Sequence, residues 1–103
     1  MRFMVKVEIP VETGNATNKD GSLPKIIESI LGDVKPEAAY FTAWNGKRTG
    51  FIFLDVQDPS DLPAIAEPGF LAFNASVEIT PAMVPEDLQK AGPAIGEAVQ
   101  KYG

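Results

Sequence analysis

An α+β fold, with one antiparallel sheet of four strands and helices packed on one side of it, is the class that these 103 residues predict. Three observations carry that expectation. Residues 3 to 9 and 75 to 80 alternate apolar and polar side chains in period two, as half-buried strands do. Residues 23 to 31 repeat apolar side chains at helical spacing. Between residues 38 and 56, two apolar runs flank Asn45-Gly46, a dipeptide suited to positive φ at both central positions of a type I′ hairpin turn. With 45% apolar residues the chain has enough core-forming material for one domain, residues 1–103, and too little for two.

The first strand sets Phe3, Val5, Val7 and Ile9 on one face and Met4, Lys6 and Glu8 on the other. Residues 10 to 22, PVETGNATNKDGS, are rich in turn-forming types and predict a long loop, either a plain surface connection or a lid. Ser22 then serves as N-cap for a helix from Leu23 to Leu31, with Leu23, Ile26, Ile27, Ile30 and Leu31 on one stripe and Gly32 at its end. A two-residue turn at Asn45-Gly46 sets Trp44 opposite Lys47, Thr42 opposite Thr49, Tyr40 opposite Phe51 and Ala38 opposite Phe53. One hairpin face then carries Phe41, Ala43, Arg48, Gly50, Ile52, Leu54 and Val56; the other carries Tyr40, Thr42, Trp44, Lys47, Thr49, Phe51, Phe53 and Asp55. Asp58 and Pro59 start a short helix, DLPAIAE, that Pro68-Gly69 is expected to end or kink. The strand ASVEIT follows and Pro81 stops it. In the tail, Leu88, Ala91, Ile95, Ala98, Val99 and Tyr102 share a stripe, with acids at its start and Lys101 near its end, predicting an amphipathic helix bent at Gly92-Pro93.

The order β, α, β, β, α, β, then a helix, is satisfied in so short a chain by two β-α-β halves sharing one sheet, the ferredoxin-like arrangement. Its helix-free face is left with Met4, Tyr40, Trp44, Phe51 and Phe53 among Lys6, Glu8, Thr42, Thr49, Ser76, Glu78 and Thr80. Four aromatic residues on one sheet face need a cover. The C-terminal helix folding back is one candidate, and the same face of a second copy is the other. The charged residues favour the second copy, with a polar cavity between the two sheets lined by Lys6, Glu8, Tyr40, Thr42, Trp44, Phe51 and Glu78.

Composition excludes much chemistry. With no His and no Cys, there is no thiolate nucleophile, disulfide, iron–sulfur cluster, usual zinc site or His haem ligand, so neither a metal nor a cofactor is expected. Nine Lys and Arg against fourteen Asp and Glu leave a net charge of -5, which argues against a nucleic-acid partner. Neither GxxxxGK[ST] nor GxGxxG occurs. Asp55, Asp58 and Asp61 are spaced acids that match no EF-hand loop, and Asp58 and Asp61 read as helix-start residues rather than as part of a hard-cation site. Glu8 and Glu78 fall on neighbouring strands, where two carboxylates either raise one another's pKa or pair with Lys6 or Lys47. Lys6 and Glu8 interrupt the apolar start of the chain, and no apolar run approaches the ~18 residues of a membrane span, so a cytoplasmic location is expected.

The stretches EAAYF, GKRTGFIFLDV, DPSDLPAIAEP and FLAFNASVEI resemble small, mostly uncharacterised bacterial DUF3303-like proteins of the dimeric α+β barrel superfamily. The resemblance implies a homodimer with a ligand-sized cavity and no defined reaction. Some members of that superfamily are cofactor-free monooxygenases that use Asn, Trp and Arg; Trp44, Asn45 and Arg48 are of those types, clustered here about a turn. Three functions stay open: a dimer that binds a small, partly apolar molecule, a cofactor-independent monooxygenase or isomerase of an aromatic or carbonyl substrate, and a protein interaction module.

Overall fold

The computed structural model describes residues 1–103. In chain order it contains β1 (Arg2–Ile9), α1 (Val11–Lys19), α2 (Ser22–Val34), β2 (Ala38–Trp44), β3 (Lys47–Asp55), a 3-10 turn (Pro59–Asp61), α3 (Leu62–Phe73), β4 (Ser76–Pro81) and α4 (Pro85–Tyr102). The strands lie side by side as β2-β3-β1-β4, every neighbouring pair antiparallel, which is a ferredoxin-like α+β arrangement. The hairpin register is the one expected from Asn45-Gly46: both residues adopt positive φ, 53° and 73°, and Trp44 pairs with Lys47, Tyr40 with Phe51.

The alternation of β1 sorts its side chains. Val5 and Ile9 are buried on the helix side, where Val5 lies opposite Ile52 on one flank and Ile79 on the other. Phe73, at the end of α3, is 2% exposed and closes this core against Ile9 and Ala75. α3 approaches the sheet closely because Gly69 has no side chain: a Cβ there would lie 3.0 Å from Val77 Cγ2.

Several local expectations are corrected. Residues 11 to 19 form helix α1 rather than a loop or lid. Its nine residues have no apolar stripe to reveal a helix; it packs on the sheet through the fit of Gly14 beneath Arg48, and its Thr17 hydroxyl is satisfied by donating to the Thr13 carbonyl at 2.9 Å. Gly21, at φ 82°, caps α2 in place of Ser22, whose backbone N–H and hydroxyl both donate to the Asp20 carboxylate. Gly32 does not stop α2. The helix continues to Val34, and Lys35, in the left-handed region at φ 47° before Pro36, ends it. Pro68 costs α3 one backbone hydrogen bond without ending it, since Ala66, Gly69 and Phe73 are buried on the sheet on both sides of the proline. The expected C-terminal helix is α4, Pro85–Tyr102, with Gly92-Pro93 inside it.

α4 does not fold back over the sheet. Leu88, Ile95, Val99 and Tyr102, its apolar stripe, are all exposed, and the chain measures 58 × 28 × 20 Å. Its radius of gyration is 17.1 Å, where a compact chain of this length has ~13 Å. The accessible surface is 7019 Å², roughly 1,400 Å² above the ~5,650 Å² usual for a folded monomer of this mass. No helix is long and apolar enough to cross a membrane.

Two expectations follow for stability. Phe73→Ala costs about 3–5 kcal/mol in urea denaturation, whereas Leu71→Ala, 79% exposed on the same helix, stays within about 0.5 kcal/mol. The Asp20 carboxyl is held below its ordinary value by the Ser22 hydroxyl and backbone N–H, and Asp58 by the Ser60 backbone N–H and hydroxyl. Depressed folded-state values stabilise above the unfolded carboxylate pKa, ~3.9, and that stabilisation is lost as pH falls through the lower folded values. The urea midpoint therefore drops below pH ~4, and the D20N/D58N double variant, scanned over the same range, drops less steeply.

Candidate ligand cavity and the open sheet face

Two regions are candidates for a site, one on each side of the sheet. On the open side, the pairing of the strands gathers all the residues expected there. Lys6 lies between Phe51 and Glu78, Glu8 sits beside Thr49, and Tyr40, Thr42 and Trp44 follow along β2. The aromatic side chains meet edge to face, Trp44 with Phe51 at 5.5 Å between ring centres and Tyr40 with Phe53 at 6.3 Å. Beside them runs a chain of ions: Lys47 Nζ is 3.5 Å from Glu8, and Lys6 Nζ is 3.9 Å from Glu8 and 3.3 Å from Glu78. Lys6 also stands 6.0 Å from the Trp44 ring. Lys6 is thus shared by Glu8 and Glu78, which separates the two carboxylates and gives each a cation.

Thr49 is fully buried on this side and its hydroxyl donates to the Lys47 carbonyl. Tyr40 and Trp44, by contrast, remain 64% and 47% exposed. Asp55, Asp58 and Asp61 do not converge: Asp58 caps the 3-10 turn, and no group of three or more acidic side chains is arranged to hold a metal ion.

The cavity of a single chain lies on the opposite side of the sheet. It has a volume of about 420 Å³, within the range of small-molecule sites, and its lining is overwhelmingly apolar. α2 forms the roof with Leu23, Ile27, Ile30 and Leu31, while Val5, Val7 and Ile52 contribute to the floor. Phe41, Ala43 and Arg48 come from the hairpin. Of the residues expected between two sheets, Thr42 alone borders this cavity; Lys6, Glu8, Tyr40, Trp44, Phe51 and Glu78 do not.

α2 is the helix with a clear apolar stripe, yet its Leu23, Ile27, Ile30 and Leu31 are half-buried rather than buried, and the strand positions that share the lining with them include the small Ala43 on β2 and Gly50 on β3. The Phe41 ring lies over Gly50: a Cβ there would be 3.1 Å from it, so a larger residue would have to shift that ring. The juxtaposition of large residues on α2 with Ala43 and Gly50 was a sequence signal for this cavity, once the helix side of the hairpin was known.

Arg48 is the only charged residue in the lining. Its guanidinium lies flat on α1, where Gly14 leaves room, and Nη1 donates to Asn15 Oδ1 at 3.1 Å. It forms no salt bridge, unlike Arg2, which pairs with Glu37, and unlike Lys6 and Lys47. No protein-family model and no curated protein matches the chain.

The half-buried ion chain makes a specific demand on stability. Lys6→Gln costs about 1 kcal/mol in urea denaturation, because Glu8, 13% exposed, loses a cation. Adding Glu8→Gln recovers part of that loss, and additive losses would show that the residues act independently.

Proposed function

We propose that the protein is a homodimer that binds a small, partly apolar molecule in the cavity beneath α2 of each copy. The observation that carries the binding is the unfilled 420 Å³ space under an amphipathic helix none of whose residues is buried. The space opens to solvent on one side and its walls are apolar, so a ligand seated there covers apolar surface that water would otherwise wet. The lining favours holding a ligand over converting one: it includes no carboxylate, and the one polar side chain that the strand register sets on this side is Arg48, with Thr42 and Thr49 bordering the cavity from positions that alternate to the open face.

The dimer is supported by the open face and by α4. The roughly 1,400 Å² of excess surface exceeds the ~800 Å² that each partner of a standard interface buries. Paired with its own copy, the open face brings apolar rings and both signs of charge to the same contact, as a self-complementary patch requires. A two-fold axis along the strands lays β4 of one copy over β2 of the other. Glu78, 67% exposed on β4, then faces the side of the sheet that bears Lys47, 45% exposed. α4 continues from β4 and reaches beyond its own sheet, so its apolar stripe is offered to the second copy.

Decanol, a neutral probe of suitable size, tests the binding site. At about ten times its Kd it raises the melting temperature by roughly 5 °C, and Ile27→Trp, which fills the cavity from the roof, removes the shift while the circular dichroism stays folded. No shift with decanol in the unaltered protein, or an equal shift in the folded I27W variant, contradicts the cavity as the site.

A further inference from the structure

Given the cavity beneath α2 as the ligand site, as proposed above, we infer that its occupant carries a carboxylate on an apolar body, and that Arg48 holds the carboxylate. The cavity is apolar along its walls and has one cationic group in its lining, so it is built like a receptor for an amphiphile with a single negative head. Arg48 has the free capacity for that role. Of the five N–H donors of a guanidinium, the structure engages one, from Nη1 to Asn15 Oδ1. The planar fork matches a carboxylate in bidentate fashion.

Two further facts single out this arginine. Of the four basic residues on the strands, Arg2, Lys6 and Lys47 each have a carboxylate within 4 Å, but Arg48 has none. The Arg48 side chain is also held in place rather than free in solvent. It is packed against the buried Gly14, where a Cβ would come within 2.6 Å of Nη1, and it is tethered by Asn15 on the same helix. α1 therefore does for this side chain what a binding site needs: it fixes the head of a flexible residue before the ligand arrives, which lowers the ordering cost of binding.

The test compares probes that share a body and differ in the head: decanoate, decanol and decylamine, measured by calorimetric titration. The protein binds decanoate at least about tenfold more tightly than decanol, and decylamine more weakly than both. The preference for decanoate shrinks as salt is raised. Arg48→Gln brings decanoate to the decanol level, whereas Lys19→Gln, a cation elsewhere on α1, retains the preference. Gly14→Ala, which keeps the charge but displaces the guanidinium, lowers the preference and serves if the Arg48 variant does not fold. Equal affinity for decanoate and decanol in the unaltered protein overturns the carboxylate assignment and leaves the cavity standing as a neutral site. Binding of neither overturns the cavity itself.

Discussion

Helices cover only one side of this sheet, and most of the molecule's features follow from that constraint. Four strands and the helices of two β-α-β halves use up the chain to residue 81, and the remaining helix does not return to the open side. The core is accordingly thin: twelve residues are buried, with Val5 and Phe73 at its two ends. A face bearing Tyr40, Trp44, Phe51 and Phe53 in water has to be stabilised locally, and it is. The rings pack edge to face, and the ion chain from Lys47 through Glu8 and Lys6 to Glu78 supplies charge without leaving an unpaired group. Under the proposed dimer, this face is covered by its own copy.

The same thinness explains the cavity. A helix rich in Ile and Leu lies over a hairpin that offers the small Ala43 and Gly50, so its stripe reaches the core but stays half-buried and leaves space beside it. Arg48 enters at this gap from β3, and α1 steadies it. α1 carries little hydrophobic burial of its own; its visible contribution to the site is the platform of Gly14 and Asn15.

The period-two patterns and the hairpin turn were legible in the sequence. Asn45-Gly46 sets the hairpin register residue by residue, and the alternation of β1 assigns Lys6, Glu8 and their neighbours to the open face. What the pattern concealed was set by tertiary context. α1 has no apolar periodicity, so its polar residues read as a loop until the fit to Arg48 is seen; Gly32 and Pro68 read as stops, yet packing and the Lys35 cap move those boundaries. Arg48 was visible as a residue near the turn on the helix side. Its lack of a carboxylate partner is a three-dimensional fact that no spacing reveals.

The account stands or falls on whether a second copy covers the open face. Sedimentation velocity over a range of protein concentrations measures this directly, because it reports mass and shape together. The account predicts a species of twice the 11.1 kDa chain mass at micromolar concentration, more compact for its mass than the 58 Å single chain. A species of 11.1 kDa that persists into the millimolar range would contradict it.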